Sequence, residues 1–279
     1  MWSDADFPFS IFHFPFSVML LAIDIGNSSI KFGIFESESL VEKLRIPTRR
    51  DHALHELLFD TLRYIKQHYS RIDKVAVSSV VIELDSALRQ ACEEVLTVTP
   101  VFIDHAFNFG IQVNYDPVTA VGTDRLVNAA TAVEKYGMPV IVCSFGTATT
   151  IDVVNSDGEY LGGSIAPGMN TLAEALHLKT SKLPHIVIEK PASVIGHTTI
   201  GSIQSGVFYG YIGLFEGIII RMFDELSDRP VVVATGGFAK LISENCDLIN
   251  TIDENLTLDG LRLLLEKQRP KVYIEALDS

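Results

Sequence analysis

Cysteine is scarce in this chain. Cys92, Cys143 and Cys246 are the only three in 279 residues, far apart and with no CxxC pair. Such spacing indicates neither a zinc site nor a disulfide framework and fits a reducing cytoplasm. Positive charge is also short: 22 Lys and Arg against 35 Asp and Glu give a net charge of −13 and a pI near 5.0. This balance argues against nonspecific binding to nucleic acid or an anionic membrane, so an anionic substrate needs a local basic or metal-bearing site. No uncharged run reaches the length of a membrane span. Residues 1–17 are aromatic-rich but hold no Lys or Arg, so the positive region of a secretory signal is missing. We read them as an appendage ahead of a start at Met19. Low-complexity segments and short-period repeats are absent too.

What is present is a folded composition, 47% hydrophobic and 20% charged, long enough for one large or two modest domains. The stretch from Leu20 to Gly33 organises it. An aliphatic run closes at Asp24, Gly26 lets the backbone turn, and Asn27, Ser28 and Ser29 offer amides and hydroxyls before a second strand begins. A carboxylate followed by Gly and small hydroxyl residues suits Mg²⁺-bound phosphate, the acid meeting the metal directly or through water and backbone N–H groups meeting the oxygens. The bland alternative is an ordinary hairpin with Asp at its turn.

The idea recurs. Val140 to Val154 again gives strand, turn at Gly146, hydroxyl cluster and strand, and a later aliphatic run ends at Thr235-Gly236-Gly237. Two such loops and a Thr-Gly-Gly turn form the pattern of the actin, sugar kinase and heat-shock ATPase superfamily. The expected fold is therefore α/β, two ribonuclease H-like halves of mixed sheets flanked by helices, with ATP between them. We place the halves at residues 18–120 and 121–279. Helical spacing marks 51–68, 84–95, 169–178 and 257–268, and strands are expected at 75–82, 98–103 and 160–165. A long helix is expected from Thr198 to Leu226, with Gly206, Gly210, Gly213 and Gly217 along it. Each Gly in a helix interior costs ~1 kcal/mol relative to Ala, so the stripe implies close helix approach, in the core or across a dimer axis.

Val121-Gly122-Thr123-Asp124-Arg125 opens another helix, with Thr123 as its expected N-cap. A first-turn Asp124 should be ionised, stabilised by the helix dipole. It is either a favourable helix-start acid or a general base for a substrate hydroxyl, with Arg125 holding an anionic group.

Taken in order, Asp24-Ile25-Gly26-Asn27-Ser28, Gly122-Thr123-Asp124-Arg125, Gly146-Thr147-Ala148-Thr149-Thr150, Gly162-Gly163 with Pro167-Gly168, Lys182-Leu183-Pro184 and Thr235-Gly236-Gly237 resemble the type III pantothenate kinases. The resemblance implies ATP-dependent phosphorylation of pantothenate, the first step of coenzyme A synthesis, by a homodimer with its pantothenate pocket at the subunit interface. It implies Mg²⁺ with ATP and a monovalent cation, K⁺ or NH₄⁺. It assigns Asp24, Ile25, Gly26, Asn27, Ser28, Ser29, Ile30 and Lys31 to the first ATP loop, with Asp24 near Mg²⁺, and Thr147 to ATP. Asp124 becomes the catalytic base, while Gly122 to Arg125, Tyr115 and Thr180 meet pantothenate. One position departs: Ser144 stands where the pattern has the potassium-site Asp. The cation then binds weakly, or Asp152 substitutes, or activity is reduced or absent. A non-catalytic binding or regulatory homologue is thus the second hypothesis, and a kinase for another small hydroxylated acid the third.

Overall fold

Met19–Ile25 forms β1, the central strand of a five-stranded sheet, in a computed structural model that describes residues 18–49, 51–69 and 71–268. The expected appendage, 1–17, lies outside the described residues. Strands β2 (Ser29–Glu36) and β3 (Ser39–Pro47) run antiparallel on one side of β1. On the other side, β4 (Lys74–Ser79) and β5 (Val101–Phe102) are parallel to it. Leu21, Ile23 and Ile25 pack with Leu54, Leu58, Leu62 and Ile65 of helix α1 (His52–His68) and with Leu88 and Ala91 of α2 (Asp85–Ala91). Leu20, Ala22 and Asp24 therefore point the other way.

The second sheet repeats the plan. Strand β6 (Gln112–Val113) and helix α3 (Thr123–Tyr136) precede β7 (Val140–Phe145), β8 (Ala148–Val154) and β9 (Glu159–Pro167). Helices α4 (Met169–Lys179) and α5 (Thr199–Glu225) follow, then β10 (Val231–Gly236), α6 (Ala239–Ser243), β11 (Thr251–Ile252) and α7 (Leu256–Lys267). The sheet order β9-β8-β7-β10-β11 repeats β3-β2-β1-β4-β5 in order and in strand direction, with β6 added beyond β9. These are the two expected ribonuclease H-like units.

Helices α3 and α7 lie between the sheets. Their apolar faces join Leu20, Ala22 and Ala76 to Val140, Val142 and Val233 in a single core. They touch closely, since a Cβ on Gly260 would sit 2.1 Å from Thr131 Oγ1. The outer face of the second sheet is covered by α5, whose Val207, Tyr211, Phe215 and Ile219 pack on Cys143, Phe145 and Ile151. By length and composition α5 could cross a membrane, but here one side of it is core.

Several expectations need correction. The strand expected over 98–103 is only Val101–Phe102, and the helix expected over 84–95 breaks at Ala91 into a wider turn over Cys92–Leu96. Thr123 is the first helical residue of α3, and Gly122 is the cap. The two halves also exchange parts: Gln112–Val113 pairs with the second sheet, and α7 packs against the first. At α5 the reading holds, because the Thr198 hydroxyl caps the helix by accepting from Gly201 N–H at 3.0 Å.

Candidate active site in the cleft between the sheets

Both Gly loops are tight and both face the cleft. In the first, Gly26 N–H donates to Ser29 O at 3.1 Å, and Thr48 Oγ1 donates to Gly26 O at 2.7 Å. In the second, Gly146 N–H donates to Ala148 O at 3.1 Å. Its Thr147 carbonyl accepts from Gly168 N–H at 3.0 Å and from Thr171 Oγ1 at 2.6 Å. Gly168 is obligatory, because a Cβ there would lie 2.1 Å from Gly146 O. The loops meet where Ser28 Oγ and Thr147 Oγ1 stand 2.5 Å apart, both residues exposed. Asn27 is exposed beside them, whereas Ile25, Ser29 and Ile30 are buried.

Below this mouth, β1 presents Asp24, buried and paired with Lys31 Nζ at 2.8 Å. From the opposite side the first turn of α3 presents Asp124, half-buried. Burial, then the charge of Asp24, push the Asp124 carboxyl up to about 6, while the Arg125 backbone N–H pulls it down. A helix dipole alone predicts the opposite shift, so the expected direction is overturned although the group stays mostly ionised at pH 7. Gly122 makes room for it: a Cβ there would lie 2.4 Å from Asp124 Oδ1. Thr123 faces the first sheet, 3.4 Å from Ser78 Oγ.

Arg125 is not free. Its Nε and Nη2 donate to Asp152 Oδ1 at 3.0 and 2.5 Å, both residues buried. Burial opposes the guanidinium charge, but the hydrogen bond and the charge of Asp152, with Tyr160 and Tyr115, together outweigh it and the pKa is raised. Tyr160 Oη also donates to Asp152 Oδ1, at 2.6 Å. Tyr115 lies over Gly162, where a Cβ would come 2.9 Å from its ring, and its centroid is 6.4 Å from that of Tyr160. Thr180 makes local bonds instead: its hydroxyl donates to Leu176 O at 2.8 Å and accepts from Leu183 N–H at 3.3 Å. Leu176 and Leu183 line an apolar hollow of about 520 Å³ between α4 and α5.

The register places Ser144 between Thr150 of β8 and Thr235 of β10. Paired residues share a face, so this donor set is a row of neutral hydroxyls. Of the Asp152 carboxylate, Oδ1 is already engaged by Arg125 and Tyr160. At this position a monovalent cation would meet hydroxyl oxygens in place of a carboxylate, a weaker set of ligands. Magnesium does fit at Asp24: two carboxylates, Asp24 and Asp124, repel across the cleft, and a divalent cation relieves that repulsion. Among the described residues no cluster of three His, Cys, Asp or Glu could cage a metal, so phosphate oxygens and water would complete the shell.

Comparison with known proteins decides the lineage. The family model described as type III pantothenate kinase matches residues 20–221. A type III pantothenate kinase of Geotalea daltonii is 42% identical over 254 residues, covering 90% of this chain and 99% of the relative. The chain belongs to the type III pantothenate kinase family. A family member from Halalkalibacterium halodurans is also 42% identical, over 253 residues, covering 89% of this chain and 99% of its own. Solved structures give the fold. A Campylobacter jejuni protein described as a Baf family transcriptional activator aligns with a TM-score of 0.58 at 19% identity, over 88% of this chain and 98% of that one. The ethanolamine utilization protein EutJ of Carboxydothermus hydrogenoformans gives 0.51 at 15% identity, over 88% and 89%.

Sequence reasoning missed two contributors to this pantothenate kinase-family site: Thr171, which holds the second loop alongside Gly168 of the quoted motif, and Tyr160, which holds Asp152. Thr171 follows that motif by three residues, in the first turn of α4. Tyr160 looked like an ordinary strand aromatic.

Proposed function

We propose that this chain phosphorylates the terminal primary hydroxyl of pantothenate with ATP, the first step of coenzyme A synthesis. The observation carrying this reading is the Ser28–Thr147 contact at 2.5 Å, above a cleft that holds Asp24 and Asp124, in a chain of this family. The nucleotide lies between Asp24–Lys31 and the loop at Thr147, clamped by the two sheets. Mg²⁺ held at Asp24 neutralises phosphate charge when bound. Phosphoryl transfer is mostly positioning and charge neutralisation. Asp124 accepts the hydroxyl proton as the oxygen bonds to the γ-phosphorus and the bond to ADP breaks. Tyr115, Gly122, Thr123 and Arg125 position pantothenate.

Homodimerisation belongs to the same reading. Gly206, Gly210 and Gly213 on α5 are exposed, with open space where a Cβ would point. Thr180 flanks the neighbouring apolar hollow, so it reaches pantothenate at a subunit interface. The setting is a reducing cytoplasm, as three unpaired thiols suggest. The test is a coupled ADP assay with pantothenate and MgATP in potassium, ammonium and sodium salts. Turnover is expected in each, and its absence in all of them overturns the proposal. Ser144 favours a second reading, a non-catalytic regulatory homologue. Wild-type activity matching that of Ser144→Asp sinks that alternative.

A further inference from the structure

Tyr160 stands at the junction of two residues that belong to different elements. Its backbone carries β6, through the pairing Val113↔Tyr160 and the Asn114 N–H donating to Tyr160 O at 3.0 Å, and β6 leads directly into Tyr115. Its ring is fully buried and 6.4 Å from the Tyr115 ring. Its hydroxyl donates at 2.6 Å to the same Asp152 oxygen that receives Arg125 Nε and Nη2. Asp152 is 2% exposed and Arg125 6%. The Nε–Nη2 edge of the guanidinium is therefore consumed inside the protein, and the Nη1 edge is left for a ligand. An Arg side chain has many rotamers, and a planar fork recognises a carboxylate only when held at a fixed angle.

We propose that Tyr160 is a positioning residue that, through Asp152, aims the Nη1 edge of Arg125 at the substrate carboxylate and so sets specificity for an acid. This inference rests on the reading of the chain as a pantothenate kinase. Because Asp152 already balances the charge of Arg125, the pocket offers the acid directed hydrogen bonds more than net positive charge. Selectivity then depends on the angle of the guanidinium, which is what the phenol fixes.

The experiment compares wild type with Tyr160→Phe, which keeps the ring packing and removes only the hydroxyl. Two acceptors are used: pantothenate, and pantothenol, in which a primary alcohol replaces the carboxylate. For the variant, KM for pantothenate rises at least about fivefold, KM for ATP stays within about twofold, and the wild-type preference for the acid over the alcohol shrinks. Asp152→Asn repeats the pattern more strongly and serves as the second variant should the first not fold. A merely structural Tyr160 lowers the melting temperature and weakens ATP and both acceptors alike, which overturns the inference. So does a wild type that does not distinguish acid from alcohol. A wild type with no turnover of either compound removes the kinase reading as well, an outcome distinct from active enzyme with unchanged selectivity.

Discussion

Ser28 and Thr147 touch across the cleft, 2.5 Å between hydroxyl oxygens, so the two Gly loops form one mouth. Their hydroxyls bond to each other where phosphate oxygens are expected. A nucleotide must exchange that bond for its own. Removing one partner leaves the other a solvent-exposed hydroxyl, at little cost to stability. Ser28→Ala and Thr147→Val are therefore expected to shift the melting temperature by less than ~2 °C. Each should raise KM for ATP roughly two- to tenfold, the worth of one hydrogen bond, with KM for pantothenate unchanged. Steady-state kinetics with both substrates varied checks this, and a rise confined to pantothenate refutes the placement of ATP.

Asp124 carries two linked expectations. As the base it must be ionised, so kcat/KM falls as pH drops through about 6. Asp124→Asn should abolish turnover while ATP binding by calorimetry stays near wild type. The sign for stability is opposite. A carboxyl raised from 3.8 to about 6 in the fold favours the folded state when protonated. Its contribution is fully present below pH 3.8 and is lost as pH rises through about 6. At neutral pH the ionised group thus costs up to ~3 kcal/mol. Asp124→Asn should be more stable than wild type at pH 7.5, with the gap closing as pH falls from 6 toward 4. Equal melting temperatures at both ends contradict the buried, repelled carboxylate.

How much of this was legible follows from how local each signal is. The loop from Asp24 to Ser29 announces itself because strand, Gly turn and hydroxyls are contiguous, and the fold class follows from its recurrence at Gly146. The long helix expected from Thr198 could be read because its apolar spacing is contiguous, and the structure adds that the Thr198 hydroxyl caps it. The raised pKa of Asp124 was not legible. It depends on the partial burial of the carboxyl in the cleft and on Asp24, brought across by β1. The commitment of Asp152 to Arg125 and Tyr160 likewise arises only when α3 is laid on the second sheet. Strands β6 and β11 have two residues each, too few for any period to show.

Ser144 predicts the salt response. Its neighbours across the ladder are Thr150 and Thr235, and the nearby carboxylate of Asp152 already holds a guanidinium. With a hydroxyl where the family pattern has a carboxylate, the rate of wild type should change by less than about twofold when K⁺ is replaced by Na⁺ at constant ionic strength. Ser144→Asp adds a carboxylate to the face that bears Asp152, so its activity should become dependent on K⁺ or NH₄⁺. A coupled assay over a potassium titration distinguishes the two. A wild type that is silent without K⁺ shows that the hydroxyls suffice as ligands.

The glycine stripe of α5 gives the last prediction. Gly206, Gly210 and Gly213 are exposed, and among the described residues nothing stands within 4 Å of where their Cβ atoms would be. For an isolated chain these positions are pure loss, ~1 kcal/mol each against Ala. They make sense when a second helix needs the backbone bare. Gly213→Arg separates the cases. On a free surface the new side chain extends into solvent, improves the helix and leaves activity and mass unchanged. At an interface it collides with the partner, so sedimentation velocity should show a monomer where wild type is a dimer. Pantothenate KM should then rise, because Thr180 is set beside the same hollow. A Gly213→Arg protein that sediments and turns over like wild type places the dimer axis elsewhere.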